Sequence, residues 1–221
     1  MARQERAVRT RRAVIRAAAE VFAERGYAAA TIAEILERAG VTKGALYFHF
    51  DSKQALARGV IDSQLTADYW VPRELKLQEW VDAGMTLAHQ IPRDVVLLAG
   101  IRLSADLESR RLFGSAWPAW IDLSRGYLET AKDRGEVLPH VNPAQTAEVF
   151  LAAWLGTQIF SEAVSDMDDL GERVMALFNH ILPAIATPAA LIRLDTAADR
   201  GLRVIEEVER ARQAELVPTE A

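Results

Sequence analysis

Apolar residues recur at three- and four-residue intervals from residue 14 onward, the spacing that places side chains on one face of an α-helix. This pattern predicts a first helix of about 17 residues that closes at Gly26, because glycine is favoured just past a helix end. Its inward face is formed by Val14, Ala18, Val21 and Phe22. The chain is therefore expected to begin with an amphipathic helix.

Two short helices are predicted next. Thr31 and Glu34 have the spacing of a capping box and predict a second helix over 32–39, which stops at Gly40. A third short helix is predicted over 43–49. Two short helices joined by a tight turn are typical of a helix-turn-helix.

The third helix carries an aromatic run whose members are expected to divide between core and surface. Its spacing turns Leu46 and Phe50 inward, and Phe48 is expected to join Phe50 in the small core. Lys43 and Tyr47 are left for contacts outside the domain.

The rest of the chain shows helical patterns and no alternating strand pattern, so the predicted fold class is all-α. Asp51 is expected to cap a long helix that runs towards Trp70. We predict an N-terminal helix-turn-helix domain over 1–52 and a second, larger helical domain over 53–221. Further helices are predicted at 75–90, 93–107, 117–134, 143–165, 168–186 and 189–213, with a frayed tail over 215–221.

Two of these helices, 143–165 and 168–186, carry apolar faces too wide for one partner within the subunit. They predict a two-fold symmetric homodimer, in which each subunit offers one helix-turn-helix to half of a pseudo-palindromic operator. The residues expected to be available to this bundle are Phe150, Leu151, Val174, Leu177, Phe178 and Ile181.

The composition is that of a globular protein: 50% of the 221 residues are hydrophobic and 26% are charged. There is no cysteine, which excludes disulfides, thiolate metal sites and cysteine nucleophiles. The N-terminus shows no apolar stretch like a signal peptide, and no later apolar run approaches the ~20 residues of a membrane span. A cytoplasmic location is expected, with no membrane partner.

The charge is unevenly distributed along the chain. Residues 1–64 carry 11 Lys and Arg against 7 Asp and Glu, whereas residues 65–221 carry 15 against 24. The first 16 residues alone hold six arginines and one glutamate. A basic end on an acidic protein indicates an element that binds a polyanion.

The sequence carries no motif of an enzyme active site. There is no G-x-G, Walker loop, G-x-S-x-G or H-E-x-x-H, and the four histidines are dispersed. Catalysis, a bound metal and a cofactor are therefore not expected. A helical enzyme or small-molecule carrier with a basic N-terminus remains the alternative from another class, and DNA binding separates it from a regulator.

The third helix has the residue types that contact DNA. Thr42 and Lys43 stand at its N-terminal end, where recognition helices present side chains to bases. Gly44 lets the backbone approach a phosphate or base closely. Tyr47 and His49 can donate hydrogen bonds to phosphates, contacts that set register more than sequence.

These residues resemble a known family. The stretch Thr31 to Ile35, followed by Ala39 to Phe50 and Lys53, is similar to the DNA-binding domain of TetR-family transcriptional regulators over residues 8–64. The resemblance adds Thr31 and Lys53 to the candidate DNA contacts. Within the family, the sequence from Gly40 to Phe50 is most similar to that of the γ-butyrolactone receptors of actinomycetes, which repress antibiotic and morphological regulons.

The second half resembles the ligand-binding half of those receptors at Trp120, over 135–143 and over 156–158. In those receptors a lipid-like signal is enclosed near an indole, which implies Trp120, with Gln64 and Thr157 as polar contacts. An orphan regulator that answers to an antibiotic, a butenolide or a furan is the alternative within the family. The pI near 5.5 favours the receptor, since orphan relatives tend to be basic.

Tryptophan placement agrees with a ligand site in the second half. Large rings line apolar pockets well but also fill ordinary cores, so Trp117 and Trp154 are candidates on this ground. All five tryptophans lie between residues 70 and 154: Trp70, Trp80, Trp117, Trp120 and Trp154. A ligand that presses on Gln64, at the far end of the helix after the helix-turn-helix, could shift that helix and release DNA.

Overall fold

A computed structural model describes residues 2–65 and 71–216 of the protein. These residues form twelve α-helices and no strand, which confirms the all-α prediction. The helices are α1 Ala2–Ala29, α2 Ile32–Ala39, α3 Lys43–Tyr47, α4 Lys53–Asp62, α5 Lys76–Gln90, α6 Val95–Ala105, α7 Leu107–Phe113, α8 Trp117–Asp133, α9 Pro143–Ser165, α10 Leu170–Ile185, α11 Pro188–Leu191 and α12 Arg200–Leu216. Short 3₁₀ turns follow α4 at Ser63–Leu65 and α5 at Ile91–Arg93.

The first two helices form as their local signals predict. Gly26 interrupts α1 with a φ of 72°, a conformation that glycine adopts without the steric cost of a side chain. Thr31 and Glu34 form the predicted capping box at the start of α2, and Gly40 ends it with a φ of 63°. α1 is longer than predicted because its helical turns extend back to Ala2.

The third helix is shorter than predicted, and this changes one side chain. α3 ends at Tyr47, so Phe48 becomes the residue that closes the helix. Phe48 is 78% exposed, and its prediction as a core residue is wrong. Leu46 and Phe50 are buried as predicted, and the Arg11 guanidinium lies 5.3 Å from the Phe50 ring centroid.

Later boundaries differ where helix signals were weak. α4 is capped by Ser52, whose hydroxyl accepts from the Ala55 amide at 3.0 Å, so the prediction of Asp51 as the cap is wrong. The helix ends at Asp62, and Trp70, which it was predicted to approach, lies outside the described residues. α7 was not predicted, although Asp106 caps it by accepting from the Ser109 amide at 2.7 Å. The single helix predicted over 189–213 is two helices, α11 and α12. The tail after residue 216 is also outside the described part of the chain.

The helices group into two compact units that do not follow chain order. The first unit contains α1 to α4, α6 and α7, with α1 packed against α2, α4 and α6. The division predicted between residues 52 and 53 stays a prediction.

The second unit contains α5 and α9 to α12, together with α8 from Ala119 onward. Its core is an aromatic cluster in which Trp80 lies 4.4 Å from Phe150 and 5.3 Å from Phe178 between ring centroids. A Cβ at Gly201 would lie 2.2 Å from the Met85 carbonyl oxygen, so only glycine permits this approach of α12 to α5. These contacts hold α5 between α12 and the pair α9–α10.

A buried charge cluster also joins α5 to α12. Asp82 is 5% exposed and accepts from Arg73 at 2.7 Å and from Arg200 at 2.7 Å. Arg73 also forms a two-bond pair with Glu207 at 2.7 and 2.8 Å. Because each buried charge is paired, the cluster fixes α12 without leaving an uncompensated ion.

The expected dimer face is only partly available. Phe150, Val174 and Phe178 are at most 5% exposed and belong to the core of the subunit, so their assignment to a dimer interface is wrong. Leu151, Leu177 and Ile181 are half-buried. The large apolar residues that α9 does expose are Val149, Ile159, Phe160 and Val164, each more than half exposed.

Candidate functional site

The candidate DNA-binding surface is the outer side of α3, defined by Lys43, Gly44 and Tyr47. Thr42 caps the helix because its hydroxyl accepts a hydrogen bond from the Ala45 amide at 3.3 Å. Leu46 is completely buried and anchors the opposite side of the helix. The cap and this anchor fix the rotation of α3, so Lys43, Gly44 and Tyr47 are exposed together.

The chemistry of this surface suits a polyanion. The Lys43 ammonium lies 5.9 Å from the centroid of the Tyr47 ring, which is 41% exposed. A Cβ added at Gly44 would meet no protein atom within 4 Å, so nothing inside the chain requires glycine there. The Lys43 cation, the Tyr47 phenol and the backbone of Gly44 are therefore exposed next to one another on this surface.

Phe48 and His49 extend the surface beyond the helix end. The exposed Phe48 ring stacks edge-on to the half-buried His49 ring, with centroids 5.0 Å apart. Phe48 is absent from the predicted DNA contacts. Helical phase could have found it, since Phe48 lies about 200° around the helix from the inward Leu46.

Thr31 and Lys53 are engaged in local structure. The Thr31 hydroxyl donates to Glu34 at 2.8 Å and accepts from its amide at 3.3 Å. The Lys53 ammonium donates to the carbonyl oxygens of Ala28 at 3.2 Å and Ala30 at 2.7 Å. A DNA contact by either side chain would have to compete with these bonds.

The basic start of α1 lies in the same unit. Four of its arginines have exposed side chains on the side away from the core: Arg6, Arg9, Arg12 and Arg16. Val14 and Ala18, on the other side of the helix, are fully buried. The positive charge predicted from the sequence is therefore on the surface, where phosphates can reach it.

Two predicted ligand contacts, Gln64 and Trp117, belong to the first unit. Gln64 is 2% exposed, and its amide nitrogen has no hydrogen-bond partner among the described residues. A Cβ at Gly100 would lie 2.5 Å from that nitrogen, so glycine in α6 leaves the room that Gln64 occupies. Trp117 is half-buried, and the Arg110 guanidinium lies 4.6 Å from its ring centroid.

The other three, Trp120, Trp154 and Thr157, belong to the second unit. Trp120 is half-buried on α8, and Trp154 is 3% exposed on α9. The Thr157 hydroxyl donates to the Ala153 carbonyl oxygen at 2.9 Å. Thr157 lines an open groove of about 450 Å³ with Phe160 and His180 on the outer side of α9 and α10. Of the two roles open to this hydroxyl, the structure shows the bond to its own backbone.

Comparison with known proteins agrees with this geometry. Residues 14–60 match the family model for bacterial regulatory proteins of the TetR family. The chain is 40% identical to the A-factor receptor protein of Streptomyces griseus over 224 aligned residues, which cover 100% of this chain and 80% of that protein.

Solved structures agree over most of the chain. TylP, a TetR regulator from Streptomyces fradiae, is 41% identical with a TM-score of 0.84, covering 94% of this chain and 93% of that one. An ArpA-like γ-butyrolactone receptor is 26% identical with a TM-score of 0.67, covering 91% and 99%.

Proposed function

The chain belongs to the TetR family of bacterial regulatory proteins, and we propose that it is a homodimeric repressor released from operator DNA by a γ-butyrolactone-type signal. The observation that carries the proposal is the exposed surface of α3 formed by Lys43, Gly44 and Tyr47. The Thr42 cap and the buried Leu46 hold this surface outward. Two similar proteins support the ligand class: one aligned over the whole chain is an A-factor receptor, and one of known structure is a γ-butyrolactone receptor.

DNA contacts are proposed on both sides of the helix-turn-helix. Lys43 and Tyr47 reach the major groove from α3, and the arginines of α1 neutralise phosphates. Gly44 lets the backbone approach the duplex, and Thr42 and His49 add hydrogen bonds to phosphates. Thr31 and Lys53 act chiefly by fixing the N-terminal ends of α2 and α4. These two helices flank α3 in the chain and set its orientation. We propose a cytoplasmic location, since the operator DNA of a bacterium lies in that compartment.

Two subunits are proposed to associate through the exposed apolar face of α9. Val149, Ile159, Phe160 and Val164 would be buried by a second copy, which removes their cost of exposure to water. A two-fold dimer then presents two recognition helices to half-sites about 34 Å apart, or a multiple of that distance.

Release is proposed to pass through Gln64 and α4. Gln64 sits in the turn that directly follows α4, and α4 follows the helix-turn-helix. A ligand that prefers the released conformation shifts the equilibrium between operator-bound and released protein. A coupling of about 1–3 kcal/mol corresponds to a ~5–150-fold loss of operator affinity.

A gel-shift assay with the DNA upstream of the protein's own gene tests the proposal. Specific retardation, reversed by a synthetic γ-butyrolactone, is the expected result. Trp120→Ala should require a much higher lactone concentration for release, because the indole supplies apolar contact area. Release by furans or butenolides but not by lactones would assign the chain to an orphan regulator. No specific retardation at all would overturn the repressor proposal.

A further inference from the structure

The buried side of α9 is a single stripe closed at both ends by contacts within the subunit. Its members are Ala147, Phe150, Trp154, Gln158 and Ser161. At one end, the Phe150 ring packs 5.1 Å from the Phe178 ring between centroids. At the other end, the Ser161 hydroxyl donates to Asp169 at 2.6 Å. At both ends of the stripe, therefore, the side chains of α9 have contact partners within the subunit.

The middle of the stripe is different. Trp154 is 3% exposed and Gln158 is 1% exposed, yet the indole N–H of one and the amide oxygen of the other have no hydrogen-bond partner in the described part of the chain. Leaving one such buried group unpaired costs about 1–3 kcal/mol. α5 adds two similar atoms in the same unit, Trp80 Nε1 and Thr86 Oγ1.

Buried polar groups in native proteins are nearly always hydrogen-bonded, so an unpaired donor and acceptor one helical turn apart point to an external partner. We propose that Trp154 and Gln158 are the polar contacts that orient the small molecule in the second unit. This inference rests on the proposed function, since it names contacts within the same ligand site.

The two atoms specify the chemistry of the ligand. An indole N–H can only donate and therefore needs an acceptor such as a carbonyl oxygen, whereas an amide oxygen can only accept and therefore needs a donor such as a hydroxyl. Side chains four residues apart on a helix have Cβ atoms about 5–6 Å apart, so both ligand groups must lie on one compact head. A lactone ring with a hydroxymethyl substituent has this arrangement, and an apolar chain on it suits the neighbouring aromatic rings.

The adjacent threonine does not meet these conditions. Thr157 is only half-buried, and its hydroxyl already donates to the Ala153 carbonyl oxygen at 2.9 Å. Gln158, one position further, carries the unpaired atom on the buried side of α9. The buried unpaired atom on α9 is therefore on Gln158, and the ligand contact is assigned to Gln158 on that ground.

Three probes test this assignment by calorimetric titration of the full-length protein. They are a 2-alkyl-3-hydroxymethyl-γ-butyrolactone, its methyl ether, which has no hydroxyl donor, and the matching tetrahydrofuran, which has no carbonyl. The wild-type protein should prefer the first probe to each of the others by about tenfold or more, the effect of one buried hydrogen bond. Gln158→Met should lose only the preference for the hydroxyl, and Trp154→Phe only the preference for the carbonyl.

Gln145→Met is the matched control, because Gln145 is exposed on the same helix. It should keep both preferences. Gln158→Met should also unfold at the same or a higher urea concentration without ligand, since it removes an unpaired polar atom from the core. A lower urea midpoint would mean that Gln158 supports the fold, which overturns the inference.

The outcomes separate this inference from the proposed function. If wild type binds the lactone but Gln158→Met retains the full preference for the hydroxyl, the inference fails and the proposed function stands. If wild type binds none of the three probes while still binding operator DNA, the lactone proposal and this inference fail together. The hydroxyl preference of Gln158→Met, compared with that of wild type, tests the inference even if Trp154→Phe does not fold.

Discussion

At the scale of single residues, the proposed operator binding depends on the Lys43 ammonium and the Tyr47 phenol of α3. Lys43→Ala and Tyr47→Ala should each weaken operator binding sharply with little change in the free energy of unfolding, because both side chains are exposed. Loss of one phosphate contact lowers the slope of log affinity against log salt by about 0.9. Loss of a bidentate base contact costs about 1–3 kcal/mol at one operator position. Fluorescence anisotropy over a salt series distinguishes the two.

Arg210→Ala provides the control for charge, since Arg210 is exposed on α12 in the other compact unit. It should leave both the affinity and its salt dependence unchanged. Wild-type binding by both α3 variants would show that this surface does not face DNA.

Gly44 gives a prediction in which stability and function change in opposite directions. Gly44→Ala meets open space and should raise the free energy of unfolding by about 0.5–1 kcal/mol, as glycine is a poor helix former. The added methyl should nevertheless weaken operator binding, because it stands between the backbone and the duplex. Gly126→Ala, at an equally open position on α8, should bring a similar gain in stability with unchanged DNA binding. Equal operator affinity for the two variants would remove Gly44 from the interface.

At the scale of elements, the exposed side of α9 carries the prediction for assembly. Phe160→Glu places a charge on a residue that is 54% exposed in the subunit, so the fold should survive and the dimer should not. Light scattering at micromolar concentration should report a monomer. Ile192→Glu, at a residue 85% exposed after α11, should remain dimeric. A dimer for both variants would mean that subunits associate elsewhere.

The helix connections of the second unit should make the protein sensitive to acid. Hydrogen bonds from Arg203 lower the pKa of Asp195, and those from Arg73 lower the pKa of Glu207. The same effect of Arg173, Ser161 and Ser165 lowers the pKa of Asp169. A carboxyl with a lowered pKa in the folded state stabilises it above the unfolded value, about 4, and this stabilisation is lost as pH falls through the folded value.

Urea unfolding at pH 7 and pH 3 measures this effect. Asp195→Asn should be less stable than wild type at pH 7 and should lose less stability between the two pH values. Identical pH dependence in the two proteins would show that Asp195 does not contribute.

At the scale of the whole molecule, the sequence was informative wherever a signal is local. Gly26 interrupts α1 at the predicted position, although α1 continues to Ala29. Thr31 with Glu34 and Gly40 set the two ends of α2 as predicted. The same is true of Leu46 and Phe50, which lie one helical turn apart. The family resemblance over these residues is confirmed by the full-length relative.

Features that depend on tertiary packing could not be predicted in this way. Periodicity shows that α9 has apolar residues on more than one side, but not that Phe150 faces α5 while Phe160 faces outward. Gln158 was overlooked because its distinguishing property, an unpaired buried oxygen, exists only in the folded protein.

The most direct test of the central claim is a thermodynamic cycle between operator and lactone. Operator affinity is measured with and without saturating 3-hydroxymethyl-γ-butyrolactone, and lactone affinity is measured with and without saturating operator. For a ligand-released repressor the two ratios must be equal, and we expect each to be about 5–150-fold against simultaneous binding. Ratios near one, with both ligands bound at once, would contradict the account.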